Sequence, residues 1–131
     1  MKPYEVLSVC GSEYHLKITT AYAVRLEEEL GTDLLSGLDK LGEIRVLAKY
    51  YFAAAVSQND TITKVEDIYQ LFDDYITDGG TYEALQELIV EVLLTSGILS
   101  PKMHEATKKA KEMQETALAK LLNSSMPKLS K

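Results

Sequence analysis

Cysteine occurs once in this chain, histidine twice and proline three times among 131 residues. The lone Cys10 cannot close an intramolecular disulfide. Two histidines with one cysteine cannot supply the four ligands of a structural zinc site unless carboxylates complete it. The fold must therefore rest on packing, with no cofactor expected. Basic residues are also scarce: fourteen Lys and Arg face twenty Asp and Glu, a formal charge of −6. That is the wrong sign for affinity built on neutralising phosphates, so nucleic acid is not an expected partner. The longest uninterrupted apolar stretch, residues 50–56, falls far short of the roughly 20 residues that span a bilayer, which excludes a membrane helix. Behind Met1, Lys2 and Pro3 comes an alternating segment with neither a continuous apolar signal core nor a small-residue cleavage site. The expected compartment is a reducing cytoplasm.

What is present is globular in composition: 46% hydrophobic and 26% charged residues with seven glycines, enough for one compact domain that buries about two thirds of its unfolded surface. The charge is uneven. Residues 1–100 hold seven Lys or Arg against seventeen Asp or Glu, net −10, whereas residues 101–131 hold seven Lys against three Glu, net +4. The step falls at Ser100-Pro101, a pair suited to a turn and a helix start. This divides the chain into an acidic α+β body, 1–100, and a basic C-terminal helix with a frayed tail, 101–131, either part of the same domain or an oligomerisation arm. The arm either lies against the acidic body of its own chain or a neighbour's, or is a solvated tail.

Strand signal is confined to the N-terminus. The runs 4–10 and 13–18 flank Gly11-Ser12 and predict a β-hairpin. In the second run Tyr14, Leu16 and Ile18 share one face and Glu13, His15 and Lys17 the other, the period of two of a half-buried strand. Four helices are predicted in the body. The first runs from Thr19 or Thr20 to Leu30, burying Val24, Leu26 and Leu30, with Glu27, Glu28 and Glu29 opposing its dipole before Gly31. After a turn at 32–37, a second helix covers 39–56, with Ile44, Leu47, Ala48, Tyr51 and Ala55 on one stripe, as the centre of the core. A capping box at Thr63-Lys-Val-Glu66 opens a third, burying Val65, Ile68, Tyr69, Phe72 and Ile76. Thr81 caps the fourth, built on Leu85, Leu88, Ile89, Val92 and Leu93 and ended by Gly97. A fifth helix runs from 101 to about 122. Strands at one end and helices after them argue for a mostly helical α+β fold, an N-terminal hairpin followed by four to five helices.

The search for chemistry is negative. His15 and His104 have no sequence-local nucleophile or carboxylate arranged as a catalytic pair, and Cys10 has no basic neighbours to lower its pKa and reads as a small, at least half-buried residue. Gly79-Gly80-Thr81 precedes a helix but lacks the glycine spacing and lysine of a phosphate loop. From Asp74 to Gly79 the chain carries acids at positions 1 and 5 and glycine at 6, as a calcium loop does, yet position 3 is Ile76 and position 12 is Leu85, where a bidentate glutamate is needed. Asp73, Asp74 and Asp78 read as a solvated helix end, and Glu87 and Glu91 as surface residues. The chain is not expected to be an enzyme.

The last helix carries the one feature that asks for a partner. Met103, Ala106, Ala110, Met113, Ala117 and Leu121 recur at helical spacing as a narrow seam bordered by lysines and glutamates. Small and flexible residues suit close approach or adaptable packing more than a strong autonomous coiled coil. The seam packs either on its own body or on another chain.

The opening from Tyr4 to Thr20, followed by Ala21 to Leu30 with its Leu-Glu-Glu-Glu-Leu-Gly31 ending, resembles the N-terminal region of tail assembly chaperones of long-tailed phages and prophages. There a strand, a Gly-containing turn and a Tyr-x-Leu-Lys strand precede a helix ending in Leu-Glu-x-x-Leu-Gly. The likeness is clearest over residues 4–35. It implies a non-enzymatic protein that binds and solubilises the tape measure protein during tail morphogenesis, with the tail tube protein as a further partner. It also implies a homo-oligomer that works in the host cytoplasm and is not retained in the mature virion. The alternatives are a small structural virion component such as a head-tail connector, or a small ligand-binding domain.

Overall fold

The computed structural model describes residues 3–100, and its architecture is the mostly helical α+β arrangement expected: an antiparallel hairpin followed by helices. Strands β1 (Glu5–Val9) and β2 (Ser12–Leu16) pair with Leu7 opposite Tyr14 and Val9 opposite Ser12. The turn is therefore Cys10-Gly11, one residue earlier than the glycine-first reading placed it. Both turn residues have positive φ, 50° and 83°, the left-handed pair that matches the twist of the flanking strands. Cys10 holds this uncommon conformation because its N–H donates to the Asp78 carboxylate at 3.1 Å and its thiol to the Asp74 carbonyl at 3.8 Å. Leu7, Val9, Leu16 and Ile18 are buried beneath the hairpin, as the alternation of two requires.

Helix α1 (Thr20–Leu30) ends at Gly31, whose φ of 71° supplies the left-handed stop. Its acidic end is as expected, but Val24 is 48% exposed and Leu26 alone is buried on this helix. The expected turn at 32–37 contains a short helix, α2 (Leu34–Gly37), capped by Asp33, whose carboxylate accepts the Ser36 N–H at 3.1 Å. A 3-10 turn over Leu38–Lys40 follows, so the central helix α3 begins at Ile44 and runs to Ala55. Ile44, expected on the buried stripe, sits at the exposed first position. Beyond it α3 buries Val46, Leu47, Ala48, Tyr50, Tyr51, Ala53, Ala54 and Ala55 and packs on α1, β2 and the two helices that follow, α4 (Val65–Thr77) and α5 (Tyr82–Thr95). A helix apolar on nearly every side has to be central.

Both buried tyrosines of α3 spend their hydroxyls on backbone carbonyls: Tyr50 donates to Leu34 at 2.6 Å and Tyr51 to Leu85 at 2.7 Å. Burial pushes both hydroxyls above the ordinary tyrosine range, helped at Tyr50 by Asp33 and Glu27. Tyr51 meets Phe72 of α4 edge to face at 5.1 Å between ring centroids. α4 starts one residue later than the predicted capping box: Asp67, not Glu66, accepts the N–H groups of Thr63 and Lys64. Its buried residues are Ile68, Leu71 and Phe72, while Tyr69 faces solvent. Thr81 caps α5 (Tyr82–Thr95) by accepting the Ala84 N–H, and at Gly97 the N–H of Ile98 returns to the Leu93 carbonyl at 3.0 Å. Leu85, Ile89, Val92 and Leu93 complete the core. The chain divides between Leu99 and Ser100 into two units, and every described element belongs to the first.

Candidate functional site

The residues screened for catalysis have structural employment. His15 stacks on Tyr4 with ring centroids 4.1 Å apart. Cys10 is exposed, against expectation, because the turn turns its side chain outward; its thiol is raised above the ordinary range by desolvation and by the Asp78 and Asp74 carboxylates. That direction suppresses thiolate. Gly79 has φ of 99° and ends α4, Gly80 lies against the Tyr75 ring with no room for a side chain, and Thr81 caps α5. The Gly-Gly-Thr sequence is thus accounted for by chain geometry. Among the described residues no three His, Cys, Asp or Glu side chains are grouped to hold a metal ion, and no helix is long and apolar enough to cross a membrane. The predicted seam, Met103, Ala106, Ala110, Met113, Ala117 and Leu121, and His104 lie outside the described residues.

Among the described residues two surfaces are candidates for contact with another chain. The first is the hairpin. With Val9 and Ser12 flanking a two-residue turn, hydrogen-bonded and non-bonded pairs alternate, so His15 directs its backbone groups outward from β2, and Val6 and Ser8 direct theirs outward from β1. On β2 this edge is closed at His15, and beyond the strand at Lys17. The Asn59 amide accepts the His15 N–H at 3.0 Å and donates to the His15 carbonyl at 2.7 Å, standing in for a neighbouring strand, and the Lys17 N–H donates to Ala54 at 2.9 Å. On β1 the ends are fastened, Cys10 to Asp78 and Glu5 to the Thr95 hydroxyl. Between them Val6 and Ser8 are exposed.

The second surface is a cleft of about 350 Å³ between α1 and α2, open along one side and floored by Ala23, Val24, Leu34, Leu35 and Ile98. Glu27 and Asp33 stand at its border. Its floor is fixed at both backbone groups of Leu34: the N–H donates to Glu27 at 3.3 Å and the carbonyl accepts from Tyr50. Gly37 makes the second bond possible, since a Cβ there would collide with the Tyr50 hydroxyl. Asp33 is held below the ordinary carboxylate range by its bonds to the Ser36 side chain and backbone, so its own charge persists further into acid than that of a free aspartate.

No family model, curated protein or solved structure matches this chain. Residues 4–35, on which the resemblance expected from the sequence rests, form β1, β2, α1 and the start of α2. Sequence reasoning singled out the acids of α1 and the hairpin. It missed Asn59, which satisfies the outward backbone groups of His15 on β2, and the cleft, whose Leu35 and Ile98 come from distant parts of the chain.

Proposed function

We propose that this protein is a non-enzymatic tail assembly chaperone that binds and solubilises the tape measure protein while a phage tail is built. It acts in the host cytoplasm as a self-associating coat and leaves before the particle is finished. The reading is supported by one observation: residues 4–35, the segment that resembles the family, form the exposed outer edge of β1 and, together with Ile98, line the α1–α2 cleft. A protein that coats a long helical client needs many modest contacts, because repeated weak sites on one chain raise avidity without strong individual binding. The exposed β1 edge supports contact between copies, since an edge strand is a template for pairing. The acidic body supports contact with basic stretches of a client.

Co-expression with the tape measure protein of its own phage tests the reading. Soluble client that co-purifies with this chain is the expected result. A client that stays insoluble, and no co-purification at low salt, would remove it. Purified mature particles should lack the protein; its presence there would instead favour a structural virion component.

A further inference from the structure

We propose that the α1–α2 cleft is a docking groove for one amphipathic helix whose apolar stripe is bordered by Lys or Arg, and the identification of that helix as part of a chaperone client rests on the reading above. The floor is apolar but shallow, with Val24 at 48% exposure, Leu35 and Ile98 half-buried and Leu34 beneath them. This suits the side chains of a helix stripe pressed in from one side. The polar side chains of the cleft's lining are Thr20, Glu27 and Asp33, and the rest is apolar.

The charge around the groove selects the occupant. Glu27 and Asp33 border the floor, and Glu28 lies one helical turn beyond Val24 on the same side of α1. The last turn of α1 has no basic residue, so Glu27 and Glu28 sit at the negative end of that helix's dipole, where carboxylates are unfavourable, whereas Asp33 caps the start of α2 and is stabilised there. Arg25, the one cation on α1, lies over the Tyr22 ring at 4.9 Å. The free protein thus carries an electrostatic cost at this spot that a basic partner relieves. An acidic or neutral helix gains only the apolar contact. Because Glu27 and Tyr50 hold the Leu34 backbone from both sides, the groove is formed before the partner arrives and little ordering opposes binding.

The test uses the full chain and a fluorescent synthetic helix of Ala, Met and Leu with a lysine border, read by anisotropy, beside its counterpart with glutamate in place of lysine. Saturable binding of the lysine helix that weakens with salt, and at least about tenfold weaker binding of the glutamate helix, is expected. Val24→Asp and Glu28→Lys, both at exposed positions, should each weaken the lysine helix by about tenfold. Glu87→Lys on α5, the same charge change away from the groove, should leave affinity within about twofold. Equal binding of the two helices, no binding of either, or binding indifferent to Val24→Asp and Glu28→Lys would overturn the groove. Co-expression separates the two proposals. A client kept soluble equally well by both groove variants removes the groove and leaves the chaperone reading. Groove-dependent peptide binding with no effect on the tape measure protein removes the reading and leaves the groove.

Discussion

Helices α1 and α3 lie side by side and are built to opposite specifications. α3 buries eight of its twelve residues and α1 buries one of eleven. α3 has two tyrosines whose hydroxyls are both satisfied by carbonyls, and alanines that let β2 and the flanking helices come close. α1 has an exposed valine and three exposed glutamates at the wrong end of its dipole. Stability is concentrated in α3, and the proposed groove would make α1 the helix that meets other molecules. Substitutions on the two should therefore separate cleanly into those that unfold the protein and those that alter only what it holds.

The largest effect is expected at Leu47, which is fully buried in α3. Leu47→Ala should cost about 2–5 kcal/mol in urea unfolding, from lost transfer free energy plus the cavity left behind. Val24→Ala on α1, with nearly half its surface already in water, should stay within about 0.5 kcal/mol. Similar losses at the two positions would dissolve the contrast.

Asn59 follows, because it continues α3 into the hairpin. Asn59→Ala removes two bonds to His15 and one to the Ala55 carbonyl, and should cost about 1–3 kcal/mol. Amide exchange should accelerate at His15 and Lys17 on the β2 edge before it does in α3. Exchange that rises uniformly would mean that the edge and the core open as one unit.

Gly37 tests the joint between the two regions. Gly37→Ala drives a methyl into the Tyr50 hydroxyl and should destabilise by about 1–3 kcal/mol. Removing that hydroxyl with Tyr50→Phe should recover part of the loss, a coupling that a double-mutant cycle reads directly. The same tyrosines set an alkaline limit. Below the ordinary tyrosine value of 10 both states keep the phenolic protons; above it the unfolded chain releases protons that the buried Tyr50 and Tyr51 retain, so stability falls as pH rises. Tyr51→Phe should flatten that fall.

How far these features were legible in the sequence depends on how far apart their causes lie. The burial of Leu16 and Ile18, the central place of α3 and the stop at Gly97 follow from local periodicity and one glycine, and all are present in the fold. The hairpin turn is displaced by one residue because Asp78, at the far end of α4, holds the Cys10 N–H. No turn rule contains that partner. Asp67 replaces Glu66 as the cap of α4 because its shorter side chain reaches both Thr63 and Lys64 from the third helical position. The acids of α1 were visible as a cost without an evident return. The cleft beside them was not, since it needs α2 folded against α1 and Ile98 brought back by the turn after α5.

The smallest effect bears most directly on that cost. Glu29 is exposed in the last turn of α1 and borders no part of the cleft. Glu29→Lys should raise stability by about 0.3–1 kcal/mol in thermal unfolding at low salt, as a cation replaces an anion at the negative end of the dipole, and the gain should fade as salt is added. If it does, the free protein carries a removable electrostatic burden at this end of α1. Glu28→Lys should then give a comparable gain while weakening capture of a lysine-bordered helix. Such an opposition is expected where a surface is tuned for a partner, because charges that repel one another in the free chain are the ones a basic ligand can neutralise. A loss of stability on Glu29→Lys would show instead that the acids are already compensated within the fold, and the electrostatic argument for a basic occupant would go with it.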